Sequence, residues 1–100
     1  MSVKIENLSG VVLQAAIACA REDGYQWITR KTVAQRAGVS LGSVSNAYVT
    51  MRDLKRAVLQ YAVDNSLVDI VAQGLADRHP IAGAAPPELK SEAARLIMTV

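Results

Sequence analysis

Three hydroxyl side chains, Thr29, Ser40 and Thr50, each stand directly ahead of a short run of helix-forming residues, and they constrain this chain more than any other feature. A Thr or Ser in that position accepts a hydrogen bond from a backbone N–H of the first helical turn and so marks where the helix starts. Thr29 is flanked by Ile28 and Val33, the N′ and N4 positions of a hydrophobic staple, and a short helix is expected over 30–37. Gly38 suits a positive φ, Ser40 caps again, and a third helix is expected over 41–48. Thr50 opens a further helix, with Asp53 at N3 as a shortened capping-box partner and Val49 and Leu54 at the staple positions.

Around this middle the periodicity is also helical. Val12, Leu13, Ala16, Ile17 and Ala20 form one stripe of a helix over 9–23, which Gly24 stops in the left-handed region. Tyr25, Trp27 and Ile28 then read as a connection that plugs the core. Residues 54–77 predict one long helix with two apolar stripes, the second made of Leu59, Val63, Leu67, Ile70 and Val71. A breaker-rich linker covers 79–87, and Pro87 opens a last helix with Glu88 in its first turn and Leu89, Ala93, Leu96 and Ile97 on its apolar side. The expectation is an all-α chain: a three-helix helix-turn-helix region over 1–53, then a long helix and a C-terminal helix over 54–100, in one compact unit. A chain of 100 residues buries only roughly 60 to 65% of its unfolded surface. The second stripe therefore looks for a partner, and Leu59, Val63, Leu67, Ile70 and Val71 are expected at a homodimer interface.

Charge divides along the chain. Residues 21–56 carry seven basic side chains against three acidic, a local +4, whereas 57–100 carry three against five, a local −2. One half therefore faces an anion and the other has a different task. Cys19 is the only cysteine, so no disulfide framework or cysteine-based zinc site can form, and a reducing, cytoplasmic setting is the simplest expectation. The apolar segment 11–20, ending Ala18-Cys19-Ala20, imitates a signal peptide, but Gln14 interrupts it and Glu6 cancels Lys4 ahead of it. No stretch is long enough to span a membrane. With His79 as the only histidine, no phosphate-binding glycine loop and no nucleophile beside a base, neither an enzyme, a metal site nor a cofactor is expected. Cys19 reads as a small core residue.

Two short helices joined by a tight glycine-containing turn match what a helix-turn-helix needs, the second helix entering the major groove of double-stranded DNA. Val33, Ala34 and Ala37 supply the inner face of the first helix, and Val39 and Val44 hold the second to it. The exposed part of that second helix would carry Leu41, Gly42, Ser43, Ser45 and Asn46, which are small or hydrogen-bonding. Asn46 is the expected base reader, because its amide can pair with adenine through two bonds, and Leu41 can pack on a thymine methyl. Thr29, Ser40 and Ser43 combine capping with phosphate contact. Arg30, Lys31, Arg52 and Lys55 are the expected phosphate clamps, with Arg36 and Arg56 left to solvent.

Residues 12–58 resemble the DNA-binding domain of the tetracycline-repressor family. Ala15-Ala16, Gly24-Tyr25, Thr29, Val33-Ala34, Ala37-Gly38-Val39-Ser40, Gly42-Ser43-Val44, Tyr48 and Thr50 all fall in the family's register. The resemblance implies a dimeric transcriptional regulator, adds Tyr48 to the DNA-contacting set, and comes without room for the family's usual effector domain, so no small-molecule effector is expected. The chain has Leu41, Ser45 and Met51 where the family often has Lys, Tyr and Lys. Residues 39–46 also resemble the recognition helix of lactose-repressor proteins, which implies phosphate contacts from Ser43 and Ser45. The missing family contacts leave one alternative, a helix-turn-helix module that binds another regulator, as an antirepressor or adaptor, and does not itself read DNA.

Overall fold

The computed structural model describes residues 7–98, and every regular element among them is helical. Helix α1 is Leu8–Asp23, a 3-10 turn covers Tyr25–Trp27, and α2 (Arg30–Ala37), α3 (Leu41–Ala47) and α4 (Met51–Asp64) follow. The chain continues through α5 (Val68–Ala76), the single turn α6 (Pro80–Gly83) and α7 (Pro87–Met98). One cluster of buried side chains runs from Val12 and Ala16 of α1, through Val33, Val44 and Leu54, to Ile70 and Val71 of α5 and Ala93 of α7. Segments 7–53 and 54–98 thus share a core.

Helix α1 starts two residues past Glu6 because Asn7, with φ 59°, turns its side chain to accept the Gly10 N–H. Gly24 ends it with a positive φ as expected, but ψ 140° lies outside the left-handed helical region. Tyr25 and Ile28 enter the core, whereas Trp27 is 73% exposed, which corrects its expected role as a core plug. Leu54 is fully buried but Val49 is 77% exposed, so the staple expected ahead of α4 does not close.

The expected single helix over 54–77 is two helices. Ser66 adopts φ 54°, the Leu67 N–H donates to the Ala62 carbonyl (2.8 Å) and the Ser66 N–H to that of Val63 (3.5 Å). These two bonds close a Schellman motif, which satisfies the last carbonyls of α4 and reverses the chain. The same motif ends α5: Arg78 sits at φ 57°, with His79 N–H bonded to Gly74 O (2.9 Å) and Arg78 N–H to Leu75 O (3.0 Å).

This reversal changes the fate of the second apolar stripe. Helix α5 folds back on α4, and α6 and α7 pack over it. Leu59, Ile70 and Val71 consequently have no exposed surface, and Val63 and Leu67 are half-buried against the same core. The five residues expected to meet a second subunit instead meet the chain's own helices. The expected linker 79–87 is also part of the core: His79 Nδ1 accepts the Ile81 N–H (3.1 Å), Pro80 opens α6, and Ala82 and Ala85 are buried. On α7 only Leu89 and Ala93 of the expected apolar side are buried, while Leu96 and Ile97 are exposed.

At Gly74, α5 comes close to α4 and α6. A Cβ at this position would lie 2.7 Å from Ala82 Cβ and 2.9 Å from Leu59 Cδ2. An alanine in mid-helix ordinarily gains about 1 kcal/mol over glycine. Here the forced separation outweighs that gain, and Gly74→Ala is expected to destabilise the chain by about 1 to 3 kcal/mol. Chemical denaturation of the two proteins measures the difference; an unchanged or higher midpoint would mean that α6 yields freely.

Candidate nucleic-acid interface

Helix α2 is fixed at both ends by local bonds. Thr29 Oγ1 accepts the Thr32 N–H (3.1 Å) and Thr32 Oγ1 accepts the Thr29 N–H (3.2 Å), a reciprocal capping box that the sequence reading missed because its partner is Thr and not Glu or Gln. At the other end Gly38, at φ 71° and ψ 32°, donates to Gln35 O (3.3 Å), and Val39 N–H donates to Ala34 O (3.1 Å). This third Schellman motif hands the chain directly to Ser40, whose Oγ accepts the Ser43 N–H (3.1 Å) and starts α3. Fully buried Val33 and Val44 lie in the core, and both helices pack against α1 as well as each other.

Helix α3 turns Val44 inward and leaves Leu41, Gly42 and Asn46 exposed. Leu41 is 52% exposed, so it is no core residue. Asn46 lies inside the helix and does not cap it; the residue that ends α3 is Tyr48, whose N–H bonds to Val44 O (2.9 Å). Among the described residues no hydrogen bond engages the Asn46 side-chain amide. Ser43 and Ser45 are half-buried with their hydroxyls engaged, Ser43 with Ser40 Oγ (3.0 Å) and Ser45 donating to Leu41 O (3.3 Å). Tyr48 is half-buried, burial pushes its phenol pKa up, and its hydroxyl points to Ser9 O (3.5 Å). Its visible role is to tie the end of α3 to α1.

The basic residues separate into two groups. Arg21 is paired with Asp69 (2.9 Å) and Arg36 with Glu22. Among the described residues, Arg30, Lys31, Arg52, Lys55 and Arg56 have no carboxylate partner. Lys31 and Arg52 are exposed in the first turns of α2 and α4, where the helix dipole makes a cation unfavourable. Arg30 is half-buried and its Nε is buried with no hydrogen-bond partner. Lys55 is half-buried and donates its ammonium proton to the Gln26 carbonyl (2.9 Å), so its charge is held against the 3-10 turn.

A second polar arrangement was not legible in the sequence. Asp69, Gln73 and Asp77 recur at intervals of four along α5 and its C-cap, and between them they meet the end of α1 and the 3-10 turn. Asp69 takes Arg21; Gln73 accepts the Tyr25 N–H (2.9 Å) and donates to Ala20 O (2.9 Å); Asp77 accepts the Tyr25 hydroxyl proton. Burial first and the Asp77 hydrogen bond second push the Tyr25 pKa up to about 12. An unfolded tyrosine ionises near pH 10, so the folded chain keeps a proton through a window in which the unfolded chain loses it. The stabilisation is complete below about pH 10 and is lost as pH rises towards 12, on the order of 2 kcal/mol in all. Tyr25→Phe is expected to flatten that alkaline fall in thermal stability, and an equally steep fall in the variant would place its origin elsewhere.

Comparison of the chain with protein-family models, with curated proteins and with solved structures finds no match.

Proposed function

We propose that the chain is a sequence-specific double-stranded DNA-binding regulator of transcription, with α2 and α3 as its helix-turn-helix and α3 as the helix that enters the major groove. The observation that carries this is the exposed, uncommitted face of α3, Leu41, Gly42 and Asn46, joined through one capped turn to a helix whose first residues are the unpaired cations Arg30 and Lys31. The Asn46 amide matches the N6 and N7 edge of adenine, and Leu41 the methyl group of thymine. A backbone phosphate at the start of α2 would receive its free N–H groups and offset the unfavourable charge of Lys31. Arg52 at the start of α4 is a second clamp. The register that residues 12–58 share with tetracycline-repressor DNA-binding domains supports the same assignment, and repression is the expected output.

Helix α3 has seven residues and spans about 10 Å, or roughly three base pairs of readable groove. Adequate specificity therefore calls for two copies on an inverted repeat, with half-sites one helical turn apart or a multiple of it. An apolar surface for the second copy is the end of α7, where Ile97 and Met98 are exposed. No helix among the described residues is long and apolar enough to cross a membrane.

Binding to a duplex of random sequence, followed by fluorescence anisotropy against salt, tests the proposal. The affinity should fall linearly on logarithmic axes with a slope of several units. Selection from a random duplex pool should yield an inverted repeat, and Asn46→Ala should relax one position per half-site at a cost of about 1 to 3 kcal/mol in discrimination while leaving the melting temperature in place. A chain that passes unretained through heparin and binds no duplex at low salt overturns it. The second reading, a protein-interaction module, is favoured by one observation: among the described residues of the first half, Trp27, Leu41 and Val49 are the most exposed large apolar side chains. Such a module would show no salt-dependent retention.

A further inference from the structure

Between the 3-10 turn, the first turns of α4 and the α5–α6 junction lies a cleft of about 460 Å³. This is within the range of small-molecule sites, which run from roughly 300 to 1,000 Å³. Its lining is mixed. Helix α4 contributes Arg52, Lys55 and Arg56 to the lining, and the 3-10 turn and the start of α6 contribute Tyr25, Gln26, Pro80 and Ile81. Asp77 is the one carboxylate in the lining, and one of its two oxygens accepts the Tyr25 hydroxyl proton. Lys55 is held to Gln26 O, while Arg52 and Arg56 are exposed and unpaired among the described residues. His79 completes the lining. Because its Nδ1 accepts the Ile81 N–H, the neutral ring carries its proton on Nε2 and is a hydrogen-bond donor there. That ring and the Tyr25 ring meet in a T-shaped arrangement, with centroids 6.2 Å apart and planes at 83°.

We infer that this cleft binds a small organic oxyanion, a carboxylate or phosphate group carried on a compact apolar body. Two guanidinium groups offer planar pairs of donors that match either head group, and the Nε2–H of His79 is a further donor in the lining. Tyr25, Pro80 and Ile81 accommodate the rest of the molecule, which inorganic ions lack. A ligand seated here engages Arg52, so it competes with the DNA backbone for that side chain. This regulatory consequence rests on the DNA-binding proposal; the site itself does not. It also differs from the expectation that a chain of this length has little room for an effector pocket.

Titration of the full chain by NMR, with phenyl phosphate, benzoate and inorganic phosphate as separate probes, tests the site. One of the two organic probes should bind with an affinity of about 10 mM or better and shift the resonances of Tyr25, Arg56 and Ile81. Which of them binds more tightly separates a phosphate ester from a carboxylate, and inorganic phosphate should be the weakest of the three. Arg56→Gln should weaken the better probe at least tenfold, His79→Leu should weaken it as well, and Lys31→Ala should leave it unchanged. Absence of binding at that concentration, wild-type affinity in Arg56→Gln, or equal affinity for inorganic phosphate overturns the inference. In a parallel duplex titration the better probe should reduce DNA affinity. Probe binding with undiminished duplex binding removes the regulatory consequence alone, and probe binding by a chain that never binds duplex removes the DNA proposal alone. Loss of duplex affinity in Arg56→Gln without any probe binding would assign the cleft to the DNA interface.

Discussion

Ile70→Glu is expected to abolish the folded state at every protein concentration. Ile70 has no exposed surface and lies in the continuous core with Leu59 of α4 and Ala93 of α7. Loss of the packed side chain costs about 2 to 5 kcal/mol. Burial of a carboxyl group with no prepared partner adds several more, whether it stays ionised or takes up a proton. Together these approach the roughly 5 to 15 kcal/mol that hold a domain of this size together. If Ile70 instead faced a second copy, the variant would be a folded monomer with native circular dichroism and reduced mass. The two cases are separated by measuring helicity and sedimentation over a hundredfold range of concentration. Met98→Glu provides the contrast. Met98 is 82% exposed, so its replacement should leave stability within about 0.5 kcal/mol. A shift of mass in this variant alone would place the subunit contact at the end of α7.

The sequence suggested the opposite location because helical spacing persists across a break. Leu59, Val63, Leu67, Ile70 and Val71 keep the i, i+4 rhythm even though the chain reverses at Ser66, where neither glycine nor proline marks the turn. A left-handed Ser66 or Arg78 is costly by itself. It persists because the 6→1 and 5→2 bonds and the packing of α5 on α4 compensate, and neither is written in the residue. Three helix starts made by local chemistry were legible: Thr29, Ser40 and Thr50 cap the helices they precede, through bonds that reach only three residues. The faces of α2 and α3 followed from those caps. By contrast, the Asp69, Gln73 and Asp77 stripe was invisible, since its partners lie 48 to 53 residues away. Trp27 and Val49 show the complementary failure: an aromatic in a short connection and an apolar residue just before a cap both read as apolar contacts, and both stand in solvent.

The double substitution Lys31→Ala, Arg52→Ala is expected to lower affinity for any duplex roughly 60-fold near 0.1 M salt. Each phosphate contact releases about 0.9 counterion, which makes it worth close to eightfold at that salt concentration relative to 1 M, and two independent contacts multiply. The slope of log affinity against log salt should fall by about 1.8 units, and the selected sequence should not change, since phosphate contacts position the protein without reading bases. Both side chains are exposed, so the melting temperature should move little. Arg36→Ala is the matched control. It removes a unit charge of the same sign, but its guanidinium is already held by Glu22 and its loss should leave the slope alone. A fall in slope for Arg36→Ala equal to that of each single clamp variant would mean that only net charge matters, and the assignment of α2 and α4 starts to the backbone would be lost. If the double variant keeps the wild-type slope, the cations at those two helix starts serve some other anion, and the exposed face of α3 must be explained without DNA.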